Sequence, residues 1–155
     1  MFKRLVAAAV TAAGLVLATV GPSFAAGPQV VTWSNDVNVP YVDCGSFWAD
    51  GVWTVSHRLT IWSDAQGIPL RDHEIVDFKG AFVNSETGAK VADSGRIVYF
   101  DTLNPDGTYA TTMQNAVRRN AYVHSAGRTD FQTFAHHGNA DTDAEWGALC
   151  DALGG

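Results

Sequence analysis

The sequence predicts an all-β protein: a single antiparallel meander of seven or eight short strands rolled into a small β-barrel, with one short helix near the C-terminus. Three observations predict it. Residues 52–62 alternate with a period of two, which sets Trp53, Val55, His57, Leu59 and Ile61 on one face and Val52, Thr54, Ser56, Arg58, Thr60 and Trp62 on the other. Turn-forming residues recur about every 10 to 20 positions. Helical spacing is confined to one stretch, after Thr142. A strand with one apolar face needs antiparallel partners and a cover. Closing the sheet removes its edges, which favours a barrel over the alternative two-sheet sandwich.

The first strand covers 30–39, with a bend or bulge expected at Asn35 and Asp36 and an end to pairing at Pro40. Residues 43–48 lead through Asp50-Gly51, a turn signal, into the alternating strand. That strand stops at 63–67, and Pro69 restricts the re-entry. Residues 70–83 place Val76, Phe78, Gly80 and Phe82 on one face and His73, Asp77 and Lys79 on the other. A loop at 84–88 precedes 89–101, where Ile97, Val98, Tyr99 and Phe100 are apolar on both sides and so predict the most buried strand.

Asn104-Pro105-Asp106-Gly107 is the strongest turn: Pro presets φ, Asp bonds its local backbone, and Gly accepts positive φ. After it, 108–117 set Tyr109, Thr111, Met113, Asn115 and Val117 on one face, and Arg118-Arg119-Asn120 reads as a solvated corner. Two more strands are expected at 121–125 and 127–135, the second carrying Phe131 and Phe134. Thr142-Asp143-Ala144-Glu145 matches a capping box, and Trp146, Leu149, Cys150 and Leu153 then share one face of a helix over about 142–153.

The N-terminus stands apart. Lys3 and Arg4 precede an uncharged apolar run of about 16 residues and then the small residues Ala25 and Ala26, the layout of a secretory signal peptide over 1–25. The run falls short of the roughly 20 residues a membrane-spanning helix needs. With no lipobox cysteine, a lipid anchor is not expected. Residues 26–155 then form one domain, expected to be secreted and free of the membrane after cleavage. That domain carries eight Lys and Arg against 16 Asp and Glu, a formal charge of −8, which disfavours nucleic acid and anionic lipid as partners. Cys44 and Cys150, an even count in an oxidising compartment, read as one disulfide closing a loop of about 106 residues.

The ordered set Cys44-Gly45-x-Phe47, Asp64-x-x-Gly67-x-Pro69-x-Arg71, Asn84-x-x-Thr87-Gly88, Ala126-Gly127-Arg128 and Leu149-Cys150-x-x-Leu153 spans nearly all of the chain after the signal segment. It resembles small exported β-rich proteins of actinobacteria with one cysteine pair. The resemblance implies export, one disulfide and one β domain, and it assigns no catalytic residue. The barrel expected is calycin-like in size, although the Gly-x-Trp signature of lipocalins is not evident.

Candidate chemistry is sparse. His57 interrupts the apolar face of its strand and is the weak candidate for a general base; the plainer reading is a core histidine satisfied by a carbonyl or a Tyr hydroxyl. His136 and His137 would face opposite ways on a strand, so a polar loop is the better reading and no metal site is expected. Asn139, Asp141, Asp143 and Glu145 fail as a calcium loop, since Ala144 and Cys150 stand where Gly and Glu are required. No nucleophile elbow and no phosphate loop are present, and no cofactor is implied.

The leading expectation is a non-enzymatic exported protein that binds a small apolar or aromatic molecule inside the barrel. Trp53, His57, Phe78, Phe82, Tyr109 and Met113 are its candidate ligand-binding residues, with Tyr99 and Asn115 beside them. The alternatives are an extracellular protein-interaction module using Trp48 or Trp62, and a barrel-type cyclase or isomerase using His57 with a tyrosine.

Overall fold

Alternating apolar and polar residues extend the first five strands well beyond the usual five or six residues. The computed structural model describes residues 27–154. It holds β1 (Gln29–Asp43), β2 (Trp48–Ser63), β3 (Pro69–Asn84), β4 (Lys90–Leu103), β5 (Tyr109–Asn120), β6 (His124–Asp130), β7 (Ala135–Asn139) and α1 (Asp143–Gly154). The expected signal segment lies outside the described residues. Each strand pairs antiparallel with its neighbour in the chain, which gives one seven-stranded meander in the order β1 to β7. β1 and β7 are its edges, so the sheet is open where a closed barrel was expected.

The sheet is nevertheless strongly curled. Arg118 Nη1 on β5 donates to the Tyr41 hydroxyl on β1 at 3.1 Å. In a flat sheet four strand spacings would hold these strands about 19 Å apart. Their side chains meet because the face that carries Trp53 is concave.

The core sits at one end of that concave face, under α1. Ala49, Trp53, Val55, Val76, Phe82 and Val123 pack there with Leu149 and Leu153 from the helix. Phe82, Leu149 and Leu153 are almost wholly buried, and each stabilises the fold by about 1.5–3 kcal/mol. The helix is fixed in three ways. Thr142 and Glu145 form the expected capping box, with Thr142 N donating to Glu145 Oε2 at 2.8 Å and Glu145 N donating to Thr142 Oγ1 at 3.3 Å. Asn84 Nδ2 donates to the Leu153 carbonyl at 3.1 Å. Cys44 and Cys150 form the disulfide, with their Cα atoms 5.5 Å apart.

The turns at Gly67, Gly88 and Gly107 fall where expected, each with its glycine at positive φ. Elsewhere the strands run differently. β1 continues straight through Asn35 and Asp36, and its irregularity lies between Pro40 and Val42. Asp50-Gly51 is inside β2, while the hairpin turn is Cys44–Phe47, closed by Cys44 N donating to the Phe47 carbonyl at 3.0 Å. β6 runs unbroken through Gly127, and Phe131 and Phe134 belong to the turn before β7. β4 is not the most buried strand: Phe100 is exposed, because none of the described residues covers the convex side of the sheet there.

Gly51 and Gly95 stand in strands for steric reasons. A Cβ on Gly51 would lie 1.9 Å from Cη2 of Trp53, and one on Gly95 would lie 2.3 Å from Cζ of Phe78. Each ring occupies the space a Cβ would take, which lets the sheet curl tightly around the aromatic core.

Candidate functional site

Strand register fixes which side chains share the concave face. Across β2 to β5 it unites Trp53 with Gly80, Asp93 and Asn120 on one rung, and Ile61 with Asp72, Asp101 and Thr112 on another. Charge is divided between the two faces. Among the described residues, the strand acids on the concave face are Asp72, Glu74, Asp93 and Asp101, and the one Lys or Arg there is Arg118. Arg58, Arg71, Lys79, Lys90, Arg96, Arg119 and Arg128 lie on the convex face, accompanied by Asp36, Asp50, Asp77 and Asp130.

At the helix end the concave face is filled. Trp53 meets Phe82 and Phe78 at ring-centroid distances of 5.5 and 6.0 Å, so these three predicted residues do come together. The space between them holds Arg118. Its guanidinium carbon lies 5.0 Å from the Tyr41 ring centroid, 5.3 Å from Phe78, 5.4 Å from Phe82 and 5.7 Å from both Trp53 and Trp146. Asp93, buried, faces Arg118 Nε at 3.5 Å, accepts from Trp53 Nε1 at 2.9 Å and accepts from Asn120 Nδ2 at 3.1 Å. Arg118 is therefore the cationic centre of the core, and only Arg119 is solvated as the sequence suggested.

His57 lies further along the same face. Nδ1 donates to Glu74 Oε1 at 2.7 Å, Asn35 Oδ1 lies 3.1 Å from Nε2, and the ring stacks on Trp33 with centroids 4.5 Å apart. Both nitrogens are engaged. A general base needs one of them free for its substrate, so this is a satisfied histidine whose partners are a carboxylate and an amide.

The other end of the concave face, roughly 33 Å along β3 from Phe82, has no helix over it among the described residues. Here Asp72 and Asp101 are direct register partners, with Glu74 and Tyr99 the adjoining pair. Asp101 is only 8 % exposed, and its Oδ1 is buried without a hydrogen-bond partner. Burial first, then the charge of Asp101, a hydrogen bond shared with it, and the charge of Glu74 push the Asp72 carboxyl up to about 7. Burial and the charges of Glu74 and Asp101 raise the Tyr99 phenol above its ordinary value. The Tyr109 phenol is raised too, by burial and then by Asp72, Asp101 and Glu74.

Tyr109 thus stands at the rim of this acidic end, 66 % exposed. Met113 does not line it. β5 turns its even-numbered residues inward, so Met113 and Asn115 lie on the convex face, where Met113 packs against Phe100 and accepts from Arg128 Nη2. There Trp62, Arg71, His73, Phe100 and Met113 border a depression of about 310 Å³, with Arg71 over the Trp62 ring at 4.8 Å and His73 stacked on Phe100 at 4.7 Å. His136 and His137 are on a strand, β7, and not in a loop; His136 Nδ1 and Thr129 Oγ1 are 3.0 Å apart.

Sequence reasoning missed Asp72, Asp101 and Arg118. One signal for the acid pair was available: counting twelve equal steps outward from Asn84 and Ala89, the pair that closes the loop, brings residue 72 opposite residue 101. Among the described residues no three His, Cys, Asp or Glu side chains are grouped to hold a metal ion, and no helix is long and apolar enough to cross a membrane. Compared with known proteins, the chain matches no family model, no curated sequence and no solved structure.

Proposed function

We propose that this is a secreted binder of small molecules, an incomplete barrel whose ligand lies on the concave face at the end away from α1. The helix end is packed by Arg118 and its five rings, which moves the ligand from the aromatic core to the acidic mouth. One observation carries this reading: Asp101 Oδ1 is buried with no partner. Leaving such a group unpaired costs about 1–3 kcal/mol, and a ligand that pairs with it recovers that cost. The surroundings suit a molecule with an apolar body, since Ile61 is the register partner of Asp72 and Leu59 that of Glu74. Titration of the protein with a small-compound library, followed by Tyr99 and Tyr109 chemical shifts, tests the site. Compounds should move both tyrosines and leave the Trp53 indole unchanged; a library in which every binder moves Trp53 instead would place the site in the core and defeat this reading.

A second reading is favoured by the convex depression beside Trp62. Arg71 on Trp62 and His73 on Phe100 form an exposed cationic and aromatic patch suited to an extracellular protein partner. Replacing Trp62 and Phe100 by Ser should then abolish partner capture while small-molecule binding persists. Capture unchanged by the double substitution would refute it.

A further inference from the structure

We infer that the concave mouth selects an organic monocation, an ammonium group carrying an apolar or aromatic body. This rests on the concave-site reading above and names its ligand class.

Charge balance decides the sign. On the concave face Arg118 neutralises Asp93, and His57 is hydrogen-bonded to Glu74, which leaves Asp72 and Asp101 facing each other with no basic side chain between them among the described residues. An anion would meet two carboxylates there, and the cations that might attract it point from the convex side. Asp101 Oδ1, buried, meets no amide, hydroxyl or basic donor of the protein among the described residues, and a neutral molecule brings it no opposite charge. An ammonium brings a charged N–H, which adds a Coulombic attraction to the carboxylate that a neutral donor lacks.

The size of the charge follows from the donor set. A divalent ion such as calcium takes six to eight oxygen ligands. The mouth offers two facing carboxylates, with no third ligating side chain grouped with them among the described residues. One positive charge fits.

The body of the ligand follows from what surrounds the acids. Ile61 flanks Asp72 on one side, Tyr99 flanks Glu74 on the other, and Tyr109 stands exposed at the rim. An aryl or alkyl group lies against these side chains while its ammonium reaches Asp101. The proton that Asp72 retains near neutral pH fits the same account, since it relieves in the free protein the repulsion that a bound cation would relieve in the complex.

The test is calorimetric titration of the full chain at pH 7.5 with 2-phenylethylamine and, separately, with 2-phenylethanol, its neutral counterpart. The amine should bind at least tenfold more tightly. In Asp101→Asn that preference should vanish while the melting temperature stays level or rises, because one of two like charges has gone; Asp72→Asn serves as a second variant that should weaken the amine without unfolding the protein. Equal affinity for amine and alcohol overturns the monocation and leaves the concave site standing. Binding of neither compound overturns both.

Discussion

Asp72 on β3 and Asp101 on β4 stand directly opposite each other on the concave face, two carboxyl groups in one register pair with no basic partner among the described residues. Such a pair does not hold two charges cheaply, and Asp72 keeps its proton up to about pH 7. Its folded value lies above the ordinary 3.8, so its contribution to stability is fully present below pH 3.8 and is lost as the pH rises through about 7. Melting temperatures taken from pH 4 to pH 8 should show that decline. The Asp72→Asn variant should flatten it, and an identical pH profile in wild type and variant would show that Asp72 is not its source.

Arg118 makes the opposite kind of pair. Removing it would leave Asp93 buried without its cation and open a space under five aromatic rings. Arg118→Ala should cost about 3–5 kcal/mol in urea denaturation. Arg118→Lys should recover less than half of that, because an ammonium lacks the planar fork that reaches both Asp93 and the Tyr41 hydroxyl.

Two glycines should respond with opposite signs. A Cβ on Gly95 meets the Val117 carbonyl oxygen at 2.4 Å as well as the Phe78 ring, so Gly95→Ala should lose about 1–3 kcal/mol. Gly147 lies on the exposed side of α1 with nothing within 4 Å of an added Cβ. There alanine should add about 0.5–1 kcal/mol of stability by helix propensity alone. Both values come from the same denaturation series.

Reducing the Cys44–Cys150 bond frees a loop whose ends are 106 residues apart, worth roughly 4.7 kcal/mol in the chain-entropy account. Hydrogen exchange of the reduced protein should quicken first in α1, whose docking the bond secures, before the central strands β2 to β4. Uniform quickening across the sheet would mean that helix and sheet open together.

Much of this architecture was legible because it is local. The alternation around Trp53, the glycine-bearing turns at 67, 88 and 107, the capping box at Thr142 and the cysteine pair each depend on neighbouring residues or on simple parity. What escaped depends on register. Met113 reads as inward by its alternation, yet the otherwise charged convex face carries a local apolar patch there, with Phe100 and Val98 across from β5. Arg118 looked solvated because charge usually is; only the curl that brings Tyr41 to β5 supplies its aromatic surroundings. His57 was singled out as a lone polar residue on an apolar face. Its partner Glu74 sits 17 positions away, and the same side of the sheet proved to carry acids at every strand from β3 to β4 that no single-strand pattern reveals.

The helix that closes the core arrives late. Leu149 and Leu153 cover Phe82, and the Leu153 carbonyl is tied to Asn84, 69 residues earlier. A growing polypeptide must therefore complete six hairpins with this patch bare to water, and bare apolar patches are what chaperones recognise and what makes intermediates clump. Bond formation between Cys44 and Cys150 then acts as a receipt for docking, since the two sulfurs meet only after the final turn has landed. Oxidation state alone should separate molecules whose helix has docked from those in which it is still loose.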